Sequence, residues 1–155
     1  MAMPDLYQTR PARDTDIPFL APIAEATLFP GDMLPDMMAP ALSGDSEDLW
    51  LVVEQDGAPV GFAFVQPEAL TDRTWNLRAI ATDPGLHGKG AGTALIGAVE
   101  TRLAEARLLV IDTTQTEDQD RARRFYAARG YDHVATIPAF FGPDEDKVTF
   151  VKTLT

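Results

Sequence analysis

Asp83-Pro-Gly-Leu-His-Gly-Lys-Gly-Ala-Gly-Thr-Ala-Leu-Ile-Gly97 lies between two patterns of different period. Before it come the apolar residues Leu77, Ala79 and Ile80; after it Ala91, Leu95, Ile96, Val99 and Leu103 recur at helical spacing. The segment therefore joins a strand to a helix through a glycine-rich turn. Gly88, Gly90 and Gly92 carry no Cβ, so the backbone bends freely and a ligand can approach its N–H groups. The opening turn of a helix also leaves N–H donors unpaired at its positive end. Together these features make a phosphate site. Two familiar phosphate loops do not fit it. In a Walker loop counted from Gly85 the lysine position falls on Ala91, and in a dinucleotide fingerprint counted from Gly88 the last glycine falls on Thr93.

Composition narrows the class. The 155 residues suit a single domain over 1–155, long enough to bury most of its extended surface without a covalent staple. With no cysteine, the chain has no disulfide, thiolate metal site or cysteinyl acyl-enzyme, and no metal site is expected. Met1–Arg10 lacks the basic start and apolar core of a signal peptide. No apolar run approaches the ~20 residues of a membrane span, so a cytoplasmic protein without a membrane partner is expected. A net charge of −11 argues against a nucleic-acid partner, because nucleic-acid affinity rests on cationic contacts. Arg121, Arg123, Arg124 and Arg129 nevertheless cluster in one short segment. They suit either a polyanionic cofactor or a solvated helix face.

Along the chain, a short strand at Tyr7 leads to a helix over about Asp16–Leu28, capped by Asp14 or Thr15 and limited by Pro22. Phe29-Pro-Gly-Asp32 is a turn, and Met33–Leu42 has one apolar helical face that Pro40 should end or bend. Strands are expected over Leu49–Glu54, Val60–Gln66 and Trp75–Asp83, the first two joined by a hairpin turn at Asp56-Gly57. A helix over Gly90–Arg107 then precedes the apolar run Leu108–Thr114, short enough to be a buried parallel strand. Glu117–Arg129 is the last helix, closed by Gly130. Strands over Tyr131–Ile137 and Lys147–Leu154 flank a long loop, Pro138–Asp146, with exposed aromatics.

Two blocks carry a family resemblance. His87-Gly88-Lys89-Gly90-Ala91-Gly92 resembles the pyrophosphate loop Arg/Gln-x-x-Gly-x-Gly/Ala of the GNAT N-acetyltransferase family, with His87 at the Arg/Gln position. Gln119-Asp-Arg-Ala-Arg-Arg-Phe-Tyr-Ala-Ala-Arg-Gly-Tyr131 resembles that family's Asn-x-x-Ala-x-x-Phe-Tyr-x-x-x-Gly-Phe, with Gln119 in place of Asn. The blocks stand in the family's order, and the expected elements follow its order over the whole chain. The resemblance implies the α/β (α+β) acyl-CoA N-acyltransferase fold. That is a mixed, mostly antiparallel sheet of about seven strands with four helices, in the order β-α-α-β-β-β-α-β-α-β-β, splayed between strands four and five.

The resemblance also implies a cofactor, acetyl-CoA, and a set of contacts. His87, Gly88, Lys89, Gly90, Ala91, Gly92 and Thr93 would hold the pyrophosphate. The backbone of Ile80, Ala81 and Thr82 would pair with the pantetheine arm, and Gln119, Ala122 and Phe125 would complete the cofactor site. Tyr126 falls at the general-acid position, where a phenol can reprotonate the departing thiolate. Strand four has no carboxylate before Asp83, so the general base is left to a water chain, Glu68 or Asp112. The implied activity is acetyl transfer to a primary amine of a small molecule or amino acid in a ternary complex. Its rivals are a non-catalytic coenzyme A-binding module and an enzyme acylating peptides or proteins. Phe140 and Phe141 would either wall the acceptor pocket or pack in a homodimer.

Overall fold

The computed structural model describes residues 6–155, so the first part of the signal-peptide reading, Met1–Asp5, lies outside the described residues. Among the described residues the elements run β1 (Tyr7–Pro11), α1 (Ile17–Thr27), α2 (Leu34–Ser43), β2 (Leu49–Gln55), β3 (Ala58–Pro67) and β4 (Thr74–Thr82). They continue with α3 (Ala91–Arg102), β5 (Leu108–Thr113), α4 (Asp120–Ala128), β6 (Asp132–Gly142) and β7 (Glu145–Thr153). The order is the one expected. The strands form one sheet, β1-β2-β3-β4-β5-β7-β6. Pairings β1–β2, β2–β3, β5–β7 and β6–β7 are antiparallel, and β4–β5 is parallel. The β4–β5 register ends at Leu77↔Ile111, whereas β4 runs on to Thr82. The chain divides into two compact units, Met1–Gln66 with Arg78–Leu103 and Pro67–Leu77 with Ala104–Thr155.

In the first unit, Trp50, Val52, Phe62, Phe64, Ala79 and Ala81 of the strands meet Leu20, Ile23, Ala24, Leu34 and Met38 of α1 and α2. Trp50 stacks on Phe64 with ring centroids 4.3 Å apart. Each large side chain of this kind contributes roughly 1.5–3 kcal/mol on burial. Asp56 and Gly57 both have positive φ (53° and 80°), as a two-residue hairpin requires. The entry to α1 differs from expectation, because neither Asp14 nor Thr15 caps it. A 3-10 turn over Asp14–Asp16 comes first, and the buried Asp16 carboxylate accepts from the Arg13 backbone N–H at 2.7 Å. Arg10 binds the same carboxylate through both terminal nitrogens, at 2.8 and 2.7 Å. Pro22 and Pro40 both lie inside their helices, and α2 continues past Pro40 to Ser43. At the turn before α2, a Cβ on Gly31 would sit 2.4 Å from the Ala21 carbonyl oxygen, so only glycine fits.

In the second unit, β5 is bonded on both sides, to the start of β4 and to β7. Tyr126 of α4 lies against Phe150 and Tyr131, with ring centroids at 5.8 and 6.4 Å. Two expectations change. Helix α3 stops at Arg102 rather than Arg107. The Arg107 N–H instead donates to the Arg73 carbonyl, and its own carbonyl accepts from Leu154 N–H, so the segment joins the strands. The expected loop Pro138–Asp146 is strand for most of its length, with a wide bulge between Ile137 and Gly142. β6 ends the strand order, and an edge position tolerates Pro138, which has no N–H to give. Within the bulge Ala139 takes a left-handed φ of 56°, and its N–H donates to Asp146 Oδ1 at 2.9 Å.

Candidate active site

The glycine loop belongs to the first unit. Asp83 opens it by accepting the Gly85 N–H at 2.9 Å on its side chain, and the 3-10 turn Pro84–Leu86 follows. The His87 and Lys89 N–H groups close turns on the Pro84 and Leu86 carbonyls, so these two residues have only side chains left to offer a ligand. The N–H groups of Gly88, Gly90, Ala91, Gly92 and Thr93 have no acceptor among the described residues. Gly88 and Gly90 have φ of 78° and 97°, left-handed values that turn these peptides before α3 begins. No acidic residue occupies the first turn of α3, so its positive end is not neutralised from within. A Cβ at Gly88 would meet nothing within 4 Å, which leaves open space over the loop. Donors, charge and space fit a phosphate group.

The end of β4 adjoins this loop. Ala81 turns its carbonyl toward Gly61 of β3, where a Cβ would lie 2.7 Å away, and Asp83 N–H donates to Val60 O. Strand alternation then sets the N–H and C=O groups of Ile80 and Thr82 on the opposite edge. Tyr7, which the sequence did not single out, reaches the loop from β1. Its Cε2 would lie 3.7 Å from a Cβ on Gly90, and its hydroxyl is buried without a partner. Packing of α3 against β1 brings residue 7 to residue 90, so no local pattern could have signalled it.

The second motif belongs to the second unit. Tyr126 is 6% exposed, and burial pushes its phenol up to about 12. Its rings and neighbours account for its contacts, and the hydroxyl makes no hydrogen bond among the described residues. Gln119, at the family's Asn position, accepts from Thr113 Oγ1 at 3.3 Å. Ala122 and Phe125 are half-buried, and the Arg129 guanidinium stands 5.4 Å from the Phe125 ring centroid. The arginine cluster is largely engaged within the chain. Arg123 donates to the Thr116 carbonyl at 2.8 Å, and Arg124 pairs with Asp120 at 3.0 Å. Arg121 stays exposed.

The sequence matches the Acetyltransferase (GNAT) family over residues 17–131. The chain belongs to that family. Its acetyltransferase activity follows from membership, and the fold has many counterparts among solved structures. A GNAT-family protein from Desulfovibrio desulfuricans is 24% identical, with 96% of this chain and 99% of that chain covered at a TM-score of 0.85. A Salmonella typhimurium protein solved with its cofactor acetyl-CoA is 19% identical, with coverages of 97% and 95% and a TM-score of 0.76. The ribosomal-protein-S18-alanine N-acetyltransferase of Escherichia coli is 20% identical, with coverages of 96% and 94% and a TM-score of 0.75. A comparison with curated protein sequences found no match. No described helix of this GNAT protein is long and apolar enough to cross a membrane. No group of three or more His, Cys, Asp or Glu among the described residues could hold a metal ion.

Proposed function

We propose that residues 1–155 act as one N-acetyltransferase domain that transfers acetyl from acetyl-CoA to a primary amine of a small molecule. The observation that carries this reading is the set of outward N–H groups from Gly88 to Thr93 at the start of α3, directly after β4. They would hold the pyrophosphate, with Lys89 and His87 adding side-chain contacts. The outer edge at Ile80 and Thr82 offers strand-like hydrogen bonds to the amide-bearing arm of the cofactor. Acetyl-CoA supplies a thioester already activated toward amines. With no cysteine in the chain, the amine attacks directly and no cysteinyl acyl-enzyme forms.

The remaining tasks belong to side chains. Tyr126 keeps its proton on Oη throughout the physiological range, because burial holds the phenol far above neutrality. That proton is then available to the leaving sulfur. Asp112 is already engaged: its Oδ1 accepts from Thr149 at 2.7 Å and its Oδ2 from Asn76 at 3.3 Å. Glu68 is engaged as well, its Oε1 accepting from Asn76 Nδ2 at 2.9 Å, and removal of the amine proton is assigned to water. Thiol release from acetyl-CoA across a panel of amines tests the proposal, and amine-dependent release is expected. Tight coenzyme A binding without turnover on any amine would replace it with a non-catalytic binding module.

A further inference from the structure

The phosphate loop of the first unit rests on a side chain from another part of that unit. Gly90 stands immediately before α3 with φ 97° and ψ −3°, and its carbonyl accepts the Ala94 N–H at 3.0 Å. The conformation of this one glycine therefore sets where α3 starts and where the Ala91, Gly92 and Thr93 N–H groups point. Nothing intrinsic holds it there, because glycine populates positive and negative φ about equally. Gly88 and Gly92 lie on either side, so an unsupported loop has much backbone freedom to lose when a ligand orders it. A Cβ on Gly90 would find one atom within 4 Å outside its chain neighbours, Cε2 of Tyr7 at 3.7 Å. A Cβ on Gly88 would find none. The Tyr7 ring thus borders the space that a side chain at position 90 would take.

Tyr7 is itself held. The β1–β2 register sets it opposite Gln55, α3 packs on both strands, and Arg10 of β1 reaches Glu54 at 3.3 Å. The Tyr7 hydroxyl is buried and makes no hydrogen bond among the described residues, so packing of the ring, not the phenol oxygen, keeps the side chain in place. Donors fixed before a ligand arrives bind it more tightly than donors ordered on binding. We infer that Tyr7 is a positioning residue for the phosphate loop. Its ring props Gly90 in the left-handed conformation, so that the loop's N–H groups are aligned before coenzyme A binds. This rests on the N-acetyltransferase reading above.

Calorimetry with coenzyme A tests it on the parent, Tyr7→Phe and Tyr7→Ala. Tyr7→Phe keeps the ring and should bind as the parent does. Tyr7→Ala should bind at least about tenfold more weakly, the worth of one hydrogen bond to a charged group. Thermal unfolding reports whether Tyr7→Ala folds. If it does not, Tyr7→Leu, which keeps an apolar side chain on β1 without the ring, takes its place with the same expected loss. In thiol release the ring-less variant should raise KM for acetyl-CoA and leave kcat at saturating acetyl-CoA unchanged, a split that partial unfolding would not give. Equal affinity in the ring-less variant, or a lower kcat at unchanged KM, overturns the inference. So does a Tyr7→Phe variant that loses as much affinity, since the hydroxyl would then be the part that matters. The parent's affinity is measured first. A parent that binds no coenzyme A defeats the N-acetyltransferase reading and this inference with it; a parent that binds, with no change on removing the ring, defeats this inference alone.

Discussion

Replacing Tyr126 with phenylalanine keeps the ring packed against Phe125, Tyr131 and Phe150 and removes only the hydroxyl. Burial raises that phenol to about 12 in the folded protein, whereas an unfolded tyrosine titrates near ~10. A folded-state value above the unfolded one means stability present in full below pH ~10 and lost as pH rises toward ~12. The separation corresponds to about 3 kcal/mol. At pH 8 the phenol is protonated in both the folded and the unfolded parent, so the variant should be about as stable as the parent. Urea unfolding of both proteins from pH 8 to 12 measures the difference. Lysines and the other tyrosines titrate in both proteins and cancel. The parent should lose about 3 kcal/mol more than the variant over the alkaline range. Parallel curves would refute the burial argument. In thiol release, the variant should lose roughly 10²-fold or more in kcat if Tyr126 is the acid, and unchanged turnover would remove it from the mechanism.

The glycine loop can be tested on two properties at once. Gly90→Val forces a branched residue to a φ of 97°, costing about 1–3 kcal/mol. It should also weaken coenzyme A binding by roughly 10- to 100-fold through a displaced N–H donor; unchanged affinity in calorimetry would discount the loop as the phosphate site. Gly97→Ala is the control within α3, where a Cβ meets nothing within 4 Å: stability should rise by about 0.5–1 kcal/mol with affinity unaltered. Asp16→Asn breaks a buried pair with Arg10 and should cost about 3–5 kcal/mol by denaturant unfolding. Arg10 holds the Asp16 carboxyl below its usual range, so the parent loses this contribution as pH falls below about 4, and the variant should lack that acid dependence. Gly31→Ala drives a Cβ into the Ala21 carbonyl at 2.4 Å, and a loss of roughly 1–3 kcal/mol is expected in thermal unfolding.

The strand, glycine loop and helix around residues 83–97 were legible in the sequence because their signals are local. Apolar spacing of two periods, three glycines and an uncapped helix start all lie within one short segment. The same holds for the α4 motif and for the hairpin at Asp56-Gly57. Element ends were less legible, because partners elsewhere in the chain decide them. Arg107 leaves its helix for the Arg73 carbonyl, and β6 runs on through a bulge after Ile137 to pair again with β7 at Gly142. Tertiary structure alone brought Tyr7 beneath Gly90 and gathered Glu68, Asn76, Asp112 and Lys147 around one amide. Those residues lie far apart in sequence, and strand register, which no single segment encodes, sets which of them share a face.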